Sequence, residues 1–211
     1  CNLRKTNIIM GPENQVIYGT STLTDKIGSL EFQISPHAFF QVNPVQTEKL
    51  YQLVLQFAAL TGHETVLDLY CGIGTISLML AKHAHKVIGI ESVEPAVRDA
   101  RQNARLNNID NAEFLTGPAE TWMPKLSSQN LVPDVIVMDP PRKGCDVAVI
   151  QALIKMGPPR VVYVSCNPAT LARDVRILED GGYQTVCVQP VDMFPHTSHV
   201  ETVVLMSRVE K

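Results

Sequence analysis

The chain has 211 residues, 45% of them hydrophobic and 18% charged, and carries a formal net charge of −3. That composition excludes a disordered or fibrous chain and is enough for one core-building domain. No apolar run reaches the length of a membrane span and no basic-then-apolar leader is present. The five cysteines, Cys1, Cys71, Cys145, Cys166 and Cys187, form no CxxC pair and leave an odd count, which argues against a disulfide framework and for a reducing cytoplasm. Cys1 is not a natural start, since translation begins with Met, so the chain is expected to be a piece of a longer protein.

Asn7–Met10, Val16–Gly19 and Leu30–Ser35 are expected as short strands of a flanking β element. Pro44–Leu60 has an amphipathic helical pattern with Asn43 as its cap. From Thr65 onward strand and helix alternate with short connections. Thr65–Tyr70 predicts a strand, Thr75–Lys82 a helix, Lys86–Glu91 a strand and Glu94–Leu106 a helix. A strand at Ala112–Thr116 and a short helix at Ala119–Leu126 follow. The short β-branched runs Val135–Met138 and Val161–Val164 predict buried strands, with a helix at Val147–Met156 between them. Asn167-Pro168 opens a further helix as cap and first-turn proline, and Gly181-Gly182 ends it. Gln184–Val188 and Thr202–Met206 predict a closing antiparallel pair. Repeated βα units imply an α/β fold, a mostly parallel sheet with helices on both faces.

In such a sheet ligands bind beyond the carboxyl ends of the strands. Asp68-Leu69-Tyr70-Cys71-Gly72-Ile73-Gly74 follows the first strand of the alternating series and opens its helix. Its glycines allow a sharp turn and close backbone approach, although Ser77 occupies the third glycine position of a dinucleotide GxGxxG pattern. Glu91 ends the next strand, where a carboxylate accepts from ribose hydroxyls. This combination suits an adenosine-bearing cofactor. Asp139, in Asp139-Pro140-Pro141-Arg142, favours S-adenosylmethionine, because a carboxylate is well matched to a sulfonium or ammonium.

Ser165-Cys166-Asn167-Pro168 puts a thiol at a strand end just before a helix. Helix-terminal amides stabilise a thiolate, so a lowered Cys166 pKa is expected, with Arg142 assisting. Cys187, and with it Cys71 and Cys145, read as small buried hydrophobes. His196, His199 and Glu201 have no supporting ligand cluster, so no metal is expected, and Glu201 reads as a general base beside the thiol. Between Arg142 and Arg176 six basic residues face two acidic ones, giving +4 against −7 elsewhere. That local rim can meet phosphates despite the acidic whole.

Together, Asp68-Leu69-Tyr70-Cys71-Gly72, Asp139-Pro140-Pro141-Arg142, Ser165–Asp174, His199-Val200-Glu201 and Phe39-Phe40-Gln41-Val42-Asn43-Pro44 resemble the RNA 5-methyluridine methyltransferases over nearly the whole chain. The Asp-Leu-Tyr-Cys-Gly-Ile-Gly loop is more similar to the branch acting on 23S ribosomal RNA than to the transfer-RNA branch. The resemblance implies a Rossmann-like fold with a seven-stranded, mostly parallel sheet and an antiparallel last strand. Residues 1–43 would be a remnant of a central β region and 44–211 the methyltransferase domain. It implies Cys166 as nucleophile and Glu201 as the base that removes the C5 proton. Gln41, Tyr70, Gly72, Thr75, Glu91 and Asp139 would contact S-adenosylmethionine; for RNA, Phe39, Phe40 or Phe194 is a candidate stacking face, and Arg142, Lys143 and Arg173 are candidate phosphate contacts. Thr75 stands where some relatives have Asn, and Pro118 where many have a polar residue near adenine. An upstream RNA-binding barrel and an iron–sulfur cluster are implied for the full-length protein, not for this chain. A cytoplasmic monomer acting on ribosomal RNA, alternatively transfer RNA, is the expectation. An amino-group methyltransferase, which also uses an Asp-Pro-Pro turn, and a non-catalytic RNA-binding module are the competing readings.

Overall fold

The computed structural model describes residues 15–209. The strand expected at Asn7–Met10 lies outside them. A hairpin, β1 (Leu23–Ile27) and β2 (Leu30–Ile34), leads into helix α1 (Pro44–Ala58). The alternating part follows as β3 (Thr65–Leu69), α2 (Thr75–Ala81), β4 (Lys86–Glu91), α3 (Glu94–Leu106), β5 (Ala112–Thr116), α4 (Ala119–Ser128), β6 (Val135–Met138), α5 (Val147–Met156), β7 (Arg160–Ser165) and α6 (Pro168–Asp180). Strands β8 (Tyr183–Val191) and β9 (Glu201–Arg208) close the chain.

Seven strands form one sheet in the order β5-β4-β3-β6-β7-β9-β8. Strands β3 to β7 pair in parallel, and β9 enters antiparallel between β7 and β8. The period of two divides the central strands between two cores. Val66, Val135, Val137, Val162 and Val164 face the side covered by α1, α2 and α3. Leu67, Ile136, Met138, Val161 and Tyr163 face the side covered by α4, α5 and α6. Both faces are covered, which is why β6 and β7 read as continuous apolar runs rather than alternating ones.

The caps are those the sequence advertised. The Asn43 side chain accepts from the Gln46 N–H, and that of Asn167 from Ala169, each ahead of a first-turn proline. In the flanking region one expectation fails and one strand was not foreseen. Val16–Gly19 forms no strand: Ile17 and Tyr18 are 95% and 97% exposed, with nothing to pair against among the described residues. Instead Leu23–Ile27, which shows no apolar alternation because four of its five residues are exposed, pairs with β2.

Gly89, in the middle of β4, marks tight packing near the site. A Cβ there would lie 2.7 Å from the Phe114 ring and 2.9 Å from Cys71 Sγ. Gly89→Ala should therefore lower stability by about 1–3 kcal/mol, read as a reduced urea midpoint at unchanged slope. An unshifted midpoint would mean that Phe114 can move aside freely.

Candidate active site

The parallel strands deliver their last residues to one rim. The Tyr70–Gly74 loop follows β3, Glu91 ends β4, Asp139 follows β6 and Cys166 follows β7. Strand β9 runs the other way, so its first residue, Glu201, arrives at the same rim. Ser165 pairs with Thr202, and one step further along this register Cys166 stands opposite Glu201.

The loop after β3 is fixed by backbone geometry. Tyr70 and Cys71 N–H groups both donate to Ile90 O, at 2.8 and 3.1 Å. Gly72 and Gly74 hold positive φ of 55° and 83°, as does Tyr70 at 66°, which glycine adopts without strain and tyrosine does not. The Glu91 carboxylate accepts from Gly72 N–H at 3.1 Å and from Val93 N–H at 2.8 Å. It therefore ties the end of β4 to the glycine loop.

Beside this loop lies a narrow cleft lined by Phe39, Gln41, Tyr51, Asp68, Tyr70, Gly72, Thr75 and Asp139, among others. Among the described residues, the buried side-chain polar atoms without a partner are Gln41 Oε1, Asp68 Oδ1 and Tyr70 Oη, and all three residues line this cleft. Leaving such atoms unpaired is unfavourable, so those of Gln41 and Asp68 fit a polar ligand, while the Tyr70 hydroxyl lies beside the Cys145 thiol. The Thr75 hydroxyl bonds to the Tyr51 hydroxyl at 2.9 Å. Phe39 is 72% exposed at the lip, whereas Phe40 packs on Phe32 with ring centroids 6.2 Å apart. Of these two phenylalanines, only Phe39 offers a free face.

The cleft is lined by carboxyl groups. Burial pushes the Asp139 carboxyl up to about 8, with Glu201 and Asp68 adding to the effect. Burial also pushes Asp68 up to about 7, although it accepts from Ser77 Oγ at 2.5 Å. The Glu201 carboxyl is raised by burial and lowered by Arg142. The Cys166 thiol contradicts the sequence expectation. Burial and the carboxylates of Glu201 and Asp139 raise its pKa, and the pull of a backbone hydrogen bond and Arg142 does not offset them. A helix terminus is visible in the local sequence, whereas these carboxylates are brought in by other strands. Cys71 and Cys145 are buried, with Cys145 pushed up to about 12 by burial, while Cys187 is only half-buried.

Arg173, expected at a phosphate, has its guanidinium committed elsewhere. It pairs with Asp174 at 2.8 Å and donates to the Lys143 and Cys145 carbonyls at 3.0 and 3.2 Å. Asp174 is fully buried and also accepts from the Tyr163 hydroxyl at 2.7 Å and the Cys145 N–H at 2.8 Å. Asn167 and Thr170 each donate to Arg142 O at 3.2 Å. These bonds clamp the loop after β6 onto the start of α6. Arg142 itself is exposed. Asp68 and Asp174 were not singled out from the sequence as site residues, and their burial on neighbouring strands and helices has no local signature.

Residues 4–209 match the family model of the tRNA (uracil-5-)-methyltransferases. The chain belongs to this family. It is 58% identical over 210 residues to an RNA methyltransferase of Bacillus cereus, and 57% identical over 202 residues to one of Oceanobacillus iheyensis. These alignments cover 100% and 96% of the chain but 46% and 44% of the relatives, so the chain spans a little under half their length. The crystal structure of Pyrococcus abyssi tRNA (uracil-54, C5)-methyltransferase in complex with S-adenosyl-L-homocysteine superposes with a TM-score of 0.81 at 34% identity. It matches 97% of this chain and 49% of that one. A precorrin-6y C5,15-methyltransferase of Geobacter metallireducens, at 14% identity and a TM-score of 0.66 over 84% of this chain and 94% of its own, shares the fold alone.

The charges around this family member's cleft can be probed one at a time. Removing the cation at Arg142 should raise the Cys166 pKa further, and neutralising Glu201 should lower it. In pH series of iodoacetamide labelling read by mass spectrometry, Arg142→Gln should shift the Cys166 profile to higher pH and Glu201→Gln to lower pH. Shifts of the same sign would contradict the assignment. For Asp139 the folded pKa lies above its unfolded value near 3.9, so the folded chain binds more protons and stability falls as pH rises from about 4 to about 8. Asp139→Asn should flatten that decline and raise Tm at pH 8, by about 2–4 °C for each kcal/mol relieved. A lower Tm at pH 8 would show that the carboxylate stabilises the fold.

Proposed function

We propose that this chain carries the catalytic part of an enzyme that methylates carbon 5 of a uridine in RNA through a covalent bond between Cys166 and carbon 6. The observation that carries this reading is the meeting of a thiol and a carboxylate at one rim, in register across β7 and β9, beside a cleft with unpartnered polar atoms. S-adenosylmethionine, when bound, supplies the methyl group. Gln41, Tyr70, Gly72, Thr75, Glu91 and Asp139 would hold it, and the acidity of the cleft suits its positive charges.

Carbon 5 of uracil is a weak nucleophile. Addition of the Cys166 thiolate to carbon 6 turns the ring into an enolate whose carbon 5 is nucleophilic. With carbon 5 methylated, Glu201 removes the remaining proton there. The electron pair then expels Cys166 and restores the double bond. A positioned general base is typically worth about 10²–10⁴-fold. The target base must leave its stack, and Phe39 offers a face for it at the cleft lip. Arg142 moderates the charge of both Cys166 and Glu201 and is free to meet a phosphate.

The target we propose is ribosomal RNA of the 23S class, on the sequence of the Asp68–Gly74 loop. Transfer RNA is the second reading, supported by the likeness to the P. abyssi enzyme. The test supplies full-length protein and S-adenosylmethionine to ribosomal and transfer RNA from a strain lacking the gene, and maps nucleosides by mass spectrometry. We expect 5-methyluridine in 23S RNA with the wild type and none with Cys166→Ala. The product in transfer RNA alone would move the target. An N-methylated base, or activity indifferent to Cys166, would overturn the mechanism.

A further inference from the structure

An α-helix advances about 6 Å in four residues and a strand about 6.6–6.8 Å in two. A row of side chains at i, i+4 and i+8 on a helix can therefore match alternate backbone groups on a neighbouring strand. Helix α3 and its cap do this to the open edge of β2. Asn107 accepts from Glu31 N–H at 2.9 Å and donates to Glu31 O at 2.7 Å. Asn103 accepts from Gln33 N–H at 2.8 Å and donates to Gln33 O at 3.2 Å. Asp99 accepts from Ser35 N–H at 3.3 Å. Three side chains thus take the place of a missing third strand.

Asn103 differs from the other two. It is fully buried, and its amide nitrogen also donates to Ile73 O at 3.2 Å. Ile73 lies between the two glycines of the loop after β3 and lines the cleft. One amide therefore grips the hairpin edge and the glycine loop together. The hairpin in turn continues within a few residues into Gln41, another lining residue with an unpartnered oxygen. Asn107 bonds to Glu31 and to its own helix at Asn103 O and, among the described residues, makes no side-chain hydrogen bond to the loop.

We infer that Asn103 is a positioning residue for the cofactor loop, through which docking of the β1–β2 hairpin sets cofactor affinity. The inference rests on the cofactor reading of the cleft given above. By linkage the effect is reciprocal: a ligand favoured by the docked hairpin must tighten the docking.

The experiment compares wild-type chain, Asn103→Ala, Asn103→Ser and Asn107→Ala, using S-adenosylhomocysteine binding by calorimetry and backbone hydrogen exchange. Asn103→Ala should weaken binding about tenfold, the effect of one or two lost hydrogen bonds, and speed exchange across residues 70–76. Asn107→Ala, which loosens the same docking but removes no bond to the loop, should weaken binding less than Asn103→Ala does and leave exchange across residues 70–76 unchanged. That contrast is one a merely structural role would not produce. Asn103→Ser, smaller but polar, serves if the alanine variant does not fold. In the wild type, S-adenosylhomocysteine should slow exchange of the Gln33 amide. Equal affinity losses in the Asn103 and Asn107 variants, or a Gln33 amide indifferent to bound ligand, would overturn the inference. Absence of binding by the wild type would strike the cofactor reading instead, and exchange at residues 70–76 in Asn103→Ala would still decide the coupling.

Discussion

Strands β3, β4, β6 and β7 all end at one rim, and β9, inserted antiparallel beside β7, begins there. This reversal lets the chain place two chemically different groups side by side from distant segments, a thiol at the end of one strand and a carboxylate at the start of another. A parallel β9 would have carried Glu201 to the opposite edge of the sheet. The clamp built by Arg173, Asp174 and Asn167 then fixes the loop after β6 against the start of α6. It thereby holds Arg142 close enough to act on both Cys166 and Glu201.

The rim tolerates unfavourable electrostatics. Asp68 and Asp139 are held where burial raises their pKa, and buried polar atoms of the lining residues Gln41 and Asp68 lack partners. A fold selected only for stability would not retain them. A ligand carrying positive charge and several hydrogen-bonding groups would relieve both strains at once. A positive charge there would also offset part of what raises the Cys166 pKa, which links the cleft electrostatically to the thiol.

Much of this was legible in the sequence. Strand β4, helix α3, strand β6 and helix α5 have the bounds that hydrophobic runs and caps predict. The residues expected at the rim are on it, because strand ends follow directly from strand bounds. The failures share a cause. Strand β1 and the absence of one at Val16–Gly19 depend on pairing, not on local pattern. The raised Cys166 pKa depends on carboxylates from other strands, and the commitment of Arg173 on a buried Asp174. The hairpin contact is equally silent in the sequence: Asp99, Asn103 and Asn107 look like an ordinary polar helix face until β2 lies against them.

The covalent step is tested most directly with RNA carrying 5-fluorouridine, incubated with S-adenosylmethionine and the full-length protein. Fluorine at carbon 5 cannot leave as a proton, so on the proposed mechanism the reaction stalls before the step assigned to Glu201. A methylated protein–RNA adduct should accumulate, map by mass spectrometry to the peptide containing Cys166, and be absent from Cys166→Ser. An adduct on another cysteine, or methyl transfer without any adduct, would contradict a Cys166 nucleophile.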